Sequence, residues 1–277
     1  NRSGGGVQFS YPFNFGNSLY SNHTASLSLL GLSRSPVTYN LDGIRSAPQG
    51  GDEGILSVGY RWLHRKPDRR NRILPSQGWG IAGNLSLTNE DVFGEYSYQK
   101  YTVDGFLNLD LPGPFVLYNR TTFSGLSGNF PVQDSLGFYQ DVNLNLLGTS
   151  ARYLGIPPVL ESQEHYTLRG NTSIMTGSIL LLNTLELRMP ILPSLPVNVF
   201  GIGVGRSTLS GFVDYGSVWE ENRTDNEITA GVEVRTALTV GGFPLVHLAY
   251  GAENPVDRWK DSASPEYYIG LGIVNPF

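Results

Sequence analysis

Apolar side chains recur at every second position along most of the chain, and the 3.6-residue period of an amphipathic helix is almost absent. Leu56, Val58, Tyr60 and Trp62 alternate with Ser57, Gly59 and Arg61. Trp79, Ile81, Leu85 and Leu87 alternate with Gly80, Ala82, Asn84 and Ser86. Tyr101, Val103, Leu107, Leu109 and Leu111 share one face, opposite Thr102, Asp104, Asn108 and Asp110. Later, Ile228, Ala230, Val232, Val234, Leu238 and Val240 oppose Thr229, Gly231, Glu233, Arg235 and Thr239. The last segment sets Tyr267, Ile269, Leu271, Ile273 and Phe277 against Tyr268, Gly270 and Gly272. Shorter versions fall at residues 7–13, 25–29, 115–123, 174–189, 209–219 and 245–250. The pattern predicts an all-β chain of eleven strands, with a weaker twelfth at 142–146.

Soluble sandwiches and lipocalin-like barrels also alternate, with the apolar face turned into a core. Two properties separate these strands from that class. They run to roughly 10–16 residues against the usual ~5–6, which suits a tilted membrane crossing of about 9–11 residues. Their second face carries Gly, Ser, Thr and Asn where a solvated sheet carries dense Lys and Glu. Composition agrees: 34 of the 277 residues are Gly, 12% are aromatic and only 16% are charged. Small polar residues suit the cramped interior of a barrel. Tyr60, Trp62, Trp79, Tyr101, Trp219, Tyr267 and Phe277 sit towards the ends of apolar faces, as in interfacial girdles. The expected fold is one transmembrane antiparallel β-barrel domain over 1–277, multi-pass in a bacterial outer membrane and in contact with its lipids. A soluble sandwich is the alternative.

The remaining composition mainly excludes. Without Cys there is no disulfide scaffold, Cys-ligated zinc or thiol catalysis. A formal charge of −5 offers no general basic surface for nucleic acid. No stretch approaches the ~18–20 apolar residues of a membrane-spanning helix, and residues 1–20 lack a basic segment followed by an apolar one.

If the last strand ends at the periplasmic face, short inner turns should alternate with longer outer loops. Counting back from Phe277, the inner connections are 241–242, 190–205, 112–114, 66–77 and 15–18. The outer ones are 253–265, 220–226, 128–172, 90–97 and 35–51. Two of the inner connections are longer than ideal. Eleven strands would leave the amino terminus outside the cell. Either 142–146 completes a 12-stranded barrel, or the chain is the C-terminal part of a barrel of about 16 strands.

Four stretches resemble the outer-membrane assembly-factor superfamily, the group of BamA, TamA and the two-partner secretion transporters, best over 150–277. His165, Tyr166, Thr167, Leu168, Arg169, Gly170 and Asn171 are similar to its (V/L)-R-G-(F/Y) motif, at the tip of a long loop folded into the lumen. Residues 177–190, GSILLLNTLELRMP, are similar to the strand that follows, with its inward Glu. Residues 210–219, SGFVDYGSVW, resemble the F-x-D-x-G-x-V-W signature of the next strand. The chain also ends in an aromatic residue, as the family does.

Alternation gives the faces at these positions independently. Leu209, Val213, Tyr215 and Trp219 face lipid, which turns Ser210, Phe212, Asp214 and Gly216 inward. Ile179, Leu181, Leu185, Leu187 and Met189 face lipid, which turns Glu186 and Arg188 inward. The resemblance then implies that Arg169 and Gly170 bring the 128–172 loop into the lumen and that Arg169 locks it against Glu186 and Asp214. A guanidinium fork suits that task better than an ammonium. The competing reading leaves Arg169 on an exposed loop and both carboxylates hydrated. One departure is Asn171, where the family motif carries an aromatic; the wedge is absent or supplied by Tyr166. Another is the absence of any upstream POTRA-like pattern of helices and strands, so the chain reads as a barrel alone or as a piece of a longer polypeptide.

The terminal strand, with Tyr267, Ile269, Leu271, Ile273 and Phe277, resembles the signal by which outer-membrane barrels are recognised for insertion. Pro276 removes a ladder donor beside it, which fits a frayed seam of the kind through which the family is thought to open laterally. Arg65, Lys66, Arg69, Arg70 and Arg72 form a basic cluster that reads best as a solvated turn, and His247 as a satisfied lumen residue. No HExxH, GxSxG or P-loop occurs. The resemblance implies a non-enzymatic barrel without metal or cofactor, which inserts or translocates client proteins through a lateral seam. Its partners would be outer-membrane or periplasmic proteins, and no nucleic acid. The alternative is an anchor or pore subunit of a larger outer-membrane complex.

Overall fold

The computed structural model describes residues 2–14, 21–34, 50–65, 77–130, 136–138, 142–144, 149–153, 165–166, 168–169, 175–192, 198–199, 202–240, 243–256 and 266–273. The first strands are β1 (Arg2–Phe13), β2 (Ser21–Arg34), β3 (Gly51–Arg65), β4 (Gly78–Thr88), β5 (Ser97–Asp110) and β6 (Val116–Asn129). A single helical turn, α1 (Glu90–Phe93), lies between β4 and β5 and is capped by the Asn89 side chain. Five short strands occupy the connection that follows: β7 (Leu136–Phe138), β8 (Val142–Leu144), β9 (Thr149–Tyr153), β10 (His165–Tyr166) and β11 (Met175–Gly177). Then come β12 (Ile179–Leu192), β13 (Asn198–Val199), β14 (Ile202–Glu220), β15 (Arg223–Val240), β16 (Phe243–Pro255) and β17 (Glu266–Ile273).

The eleven long strands expected from alternation form one antiparallel meander, β1-β2-β3-β4-β5-β6-β12-β14-β15-β16-β17. β6 and β12 are direct neighbours, so everything between them is an excursion from the wall. Register keeps the faces in step. Phe9 pairs with Leu27, Leu27 with Val58, Val58 with Leu85 and Leu85 with Tyr101, an apolar row across five strands. The row continues to Gly125 on β6, where an added Cβ would lie 2.1 Å from the Tyr101 ring. Glycine there lets the tyrosine lie across its neighbour strand.

Burial inverts the arrangement of a water-soluble protein. Leu85, Leu187, Val213 and Val232 stand exposed on the outer face, while Glu53, Lys100, Glu186, Asp214, Glu233 and Glu253 are buried on the inner one. A polar interior and an apolar exterior are stable only where lipid replaces water outside the sheet. At one end the outer face carries stacked rings: His23 on Phe13 and on Trp62, Trp62 edge-on to Trp79, and Trp79 against His64. Their amphipathic rings suit a headgroup boundary.

Three expectations need adjustment. The outer connection anticipated at 220–226 is a two-residue turn, because Glu220 and Arg223 pair directly. The polar residues Thr224 and Asn226 continue the ladder past the apolar band, where hydrophobic alternation gives no signal. The inner connection anticipated at 190–205 shortens because β12 runs to Leu192 and β14 begins at Ile202, with a bulge between Val204 and Ser207. The weak twelfth segment exists as β8, but it pairs with β9 in a short hairpin instead of forming a long wall strand. β9 in turn pairs with β17, and among the described residues β1 pairs with β2 alone, so the strand path does not close.

An Arg side chain placed in the centre of the outer face tests the inversion. Val213→Arg should destabilise the lipid-embedded protein by about 2–4 kcal/mol, whereas Glu221→Arg, in the exposed β14–β15 turn, should change little. Denaturant unfolding in lipid vesicles measures both, and equal effects would contradict the assignment of the faces.

Candidate functional site

The β12–β14 register sets Glu186 opposite Phe212 and Thr184 opposite Asp214, so the two inward carboxylates are diagonal neighbours on one face. Arg169, on the excursion between β6 and β12, reaches both. Its Nε and Nη2 donate to Asp214 Oδ2 and Oδ1 at 2.6 and 2.7 Å, a bidentate fork. Its Nη1 lies 2.9 Å from Glu186 Oε1 without an aligned hydrogen bond. All three side chains are nearly inaccessible to solvent. The guanidinium carbon also sits 3.6 Å above the Phe212 ring, a geometry that favours a cation. Gly231, the cross-strand partner of Phe212, gives that ring its place: an added Cβ would lie 2.7 Å from Phe212 Cζ and 2.4 Å from the Ala252 carbonyl oxygen.

Glu186 is shared. Arg188 Nε donates to its Oε2 at 2.7 Å, and Arg235 Nη2 donates to its Oε1 at 3.2 Å. Arg235 also donates to Glu233. Arg188 stacks 3.6 Å above the Tyr118 ring and reaches Asn108 Oδ1 at 3.4 Å. Arg169, Arg188 and Arg235 thus balance Glu186, Asp214 and Glu233. Such a network is tolerable away from water only when each charge is paired, and removing one partner costs about 3–5 kcal/mol. The two carboxylates differ in what holds them. If Arg169 leaves, Glu186 keeps Arg188 and Arg235, while among the described residues Asp214 has only Arg169 as an ion-pair partner.

An apolar layer adjoins the ions. Leu136, Leu168 and Met175 of the excursion pack with Tyr96, Tyr98, Leu126, Leu180 and Val218 of the inner wall. β10, β7 and β11 form a separate three-stranded sheet that carries Leu136 and Met175, and Leu168 lies two residues beyond β10. Leu168, beside Arg169, is 1% exposed, so a dry contact and an ion pair fix the same turn.

The structure therefore brings Arg169, Glu186 and Asp214 together. Gly170 and Asn171 lie outside the described residues, and Tyr166 is described only as backbone in β10. Tyr267, Ile269, Leu271 and Ile273 lie on β17 with Tyr267 exposed, while Phe277 and Pro276 are outside the described residues. Arg65 ends β3, and Lys66, Arg69, Arg70 and Arg72 are outside them too. His247 is on β16, its side chain not described. Among the described residues no group of His, Asp and Glu is placed to hold a metal ion.

Sequence reasoning left Glu233 and Arg235 unassigned and gave Arg188 no partner. The signal was present: Glu186-Leu187-Arg188 and Glu233-Val234-Arg235 are two Glu-x-Arg doublets. In a strand, residues two apart share a face, so each doublet delivers a carboxylate and its counterion to the lumen together.

A wall apolar outside and ionic inside, with its long connection folded back onto the inner face, defines the class of membrane β-barrels. A family model, the Omp85 superfamily domain, matches residues 1–269, and the chain belongs to that superfamily. The Omp85 domain is a β-barrel, and the superfamily comprises outer-membrane barrels that insert or translocate proteins without enzymatic chemistry. No curated protein matches the chain.

The unequal sharing makes two isosteric changes distinguishable. Asp214→Asn should release the Arg169 turn and expose the loop to protease while the wall stays folded. Glu186→Gln should leave Arg169 forked to Asp214 and the loop protected, and should lower the unfolding temperature of the barrel further than Asp214→Asn does, because three guanidinium groups would then surround a neutral amide. Limited proteolysis and heat-dependent gel mobility read the two effects, and identical behaviour would contradict the division of roles.

Proposed function

We propose that this chain acts in the bacterial outer membrane as a barrel that inserts or translocates β-rich client proteins, with the Arg169 loop as its internal lock. Membership of the Omp85 superfamily supports the general activity. The observation that carries the proposal for this chain is the bidentate Arg169–Asp214 pair, which ties a long connection into the lumen by a contact that can be made and broken as a unit. The wall's own Arg188 and Arg235 already pair with Glu186, so what the loop arginine adds is the partner of Asp214.

No bound nucleotide or metal enters the scheme. Unpaired strand edges are costly in lipid, where no water satisfies the backbone, so the folding of a client's own strands supplies the driving force. The apolar outer face meets lipid, and the partners are unfolded outer-membrane proteins together with the periplasmic proteins that deliver them. Gly170 and the terminal-strand residues Tyr267, Ile269, Leu271, Ile273 and Phe277 belong to the same reading, the first as part of the motif that carries Arg169 and the others as the strand recognised during the protein's own insertion.

Lipid vesicles carrying the protein should speed the folding of an unfolded outer-membrane barrel by about tenfold or more over empty vesicles, and Arg169→Ala should change that rate. Vesicles with and without the protein giving the same rate would contradict the insertion role and favour an anchor or pore subunit.

A further inference from the structure

One pairing in the main sheet breaks its pattern. All the wall strands pair antiparallel, yet β9 lies parallel to β17, with Thr149 opposite Tyr267, Ala151 opposite Ile269 and Tyr153 opposite Leu271. β9 belongs to the excursion between β6 and β12, so a piece of the lumenal connection has come out to the sheet edge and covers the last strand. Its hairpin partner β8 is only three residues long. At the far end of the sheet nothing equivalent is described, and Phe9 and Tyr11 of β1 are 69% and 72% exposed.

The cover is weaker than a wall contact. It spans five residues, Tyr267–Leu271, whereas β16 pairs with the other edge of β17 from Val246 to Glu253. Parallel pairing is also slightly less stable per residue than antiparallel. An extended segment that binds a sheet edge does so mainly through its main chain, which any alternating strand can supply. A client strand arriving antiparallel and reaching the full length of β17 would therefore form more and better hydrogen bonds than β9 does.

We propose that β9 is a built-in placeholder strand: the chain's own Thr149–Tyr153 occupies the pairing edge of β17 and is displaced there by an incoming strand of an unfolded outer-membrane protein. The displacement step rests on the insertion role proposed above. The placeholder is also tied to the lock, because β9 and Arg169 lie on one connection, held in the lumen by Asp214 and by the apolar layer around Leu136 and Leu168. Releasing Arg169 lengthens the free tether and weakens the cover on β17. The lumen and the seam then respond to each other through a single stretch of chain.

The chain has no Cys, so paired cysteines report this contact without background. In bacterial outer membranes, Ala151→Cys with Ile269→Cys should form a disulfide about tenfold faster than Ala151→Cys with Val232→Cys, which sits on the exposed face of β15. Equal rates overturn the placeholder. Adding Arg169→Ala should slow the Ala151–Ile269 cross-link severalfold, and an unchanged rate overturns the coupling. If the pair prevents folding, seen as loss of heat-dependent gel mobility, Arg152→Cys with Gly270→Cys at the next register position takes its place.

The purified, reduced protein in vesicles should speed the folding of an unfolded eight-stranded outer-membrane barrel, and the oxidised protein should lose about nine-tenths of that acceleration. Full activity of the oxidised form overturns displacement at β17. Failure of the reduced form to accelerate folding overturns the insertion role and the displacement step with it, whereas occupancy of the edge still stands or falls on the cross-linking rates.

Discussion

Arg169 is not part of the wall, yet the wall's inner face is built around it. Asp214 and Glu186 are buried on adjacent strands, and a carboxylate away from water must be paired or lose its charge. The fork to Asp214 satisfies that demand from the loop side. Satisfying it fixes the position of Leu168 and Arg169, which seats Leu168 in the apolar layer with Leu136 and Met175. Remove the ion pair and the dry contact loses its register; remove the dry contact and water reaches the ions. Each half protects the other.

The wall makes this arrangement possible by being strict about its faces. Strand periodicity sends every second residue inward, so the Glu-x-Arg doublets of β12 and β15 each place opposite charges side by side without a turn or insertion. Bulk is then managed locally. Gly231 leaves room for Phe212, whose ring carries the Arg169 guanidinium, and Gly125 leaves room for Tyr101 on the outer face. The same alternation that presents apolar side chains to lipid therefore also composes the ionic cluster inside. The fold and the site are two faces of one pattern.

This explains which features were legible before the structure. The strands were readable because their outer residues, such as Leu85, Leu187 and Val213, repeat strictly at every second position. Strand ends were harder, since Thr224 and Asn226 continue the ladder with polar residues beyond the apolar band. The inward direction of Glu186 and Asp214 followed from their neighbours, but their meeting with Arg169 did not. Alternation says nothing about where a connection of this length returns, and only the motif resemblance pointed to the loop. Arg235 was missed because it looked like one polar residue in a polar row; its role depends on register with β12 across β14, a non-local relation that no single segment encodes. The β9–β17 pairing was unreadable for the same reason.

The central claim is that a buried ion pair ties the lumenal connection to the wall, and a double-mutant cycle on Arg169 and Asp214 tests it most directly. Arg169→Ala, Asp214→Ala and the double variant would be compared by denaturant unfolding in lipid vesicles. The account predicts a coupling energy of about 2 kcal/mol or more between the two sites, with the double variant scarcely less stable than either single one. Strictly additive effects would show that the two residues stabilise the barrel independently, and the lock would not exist.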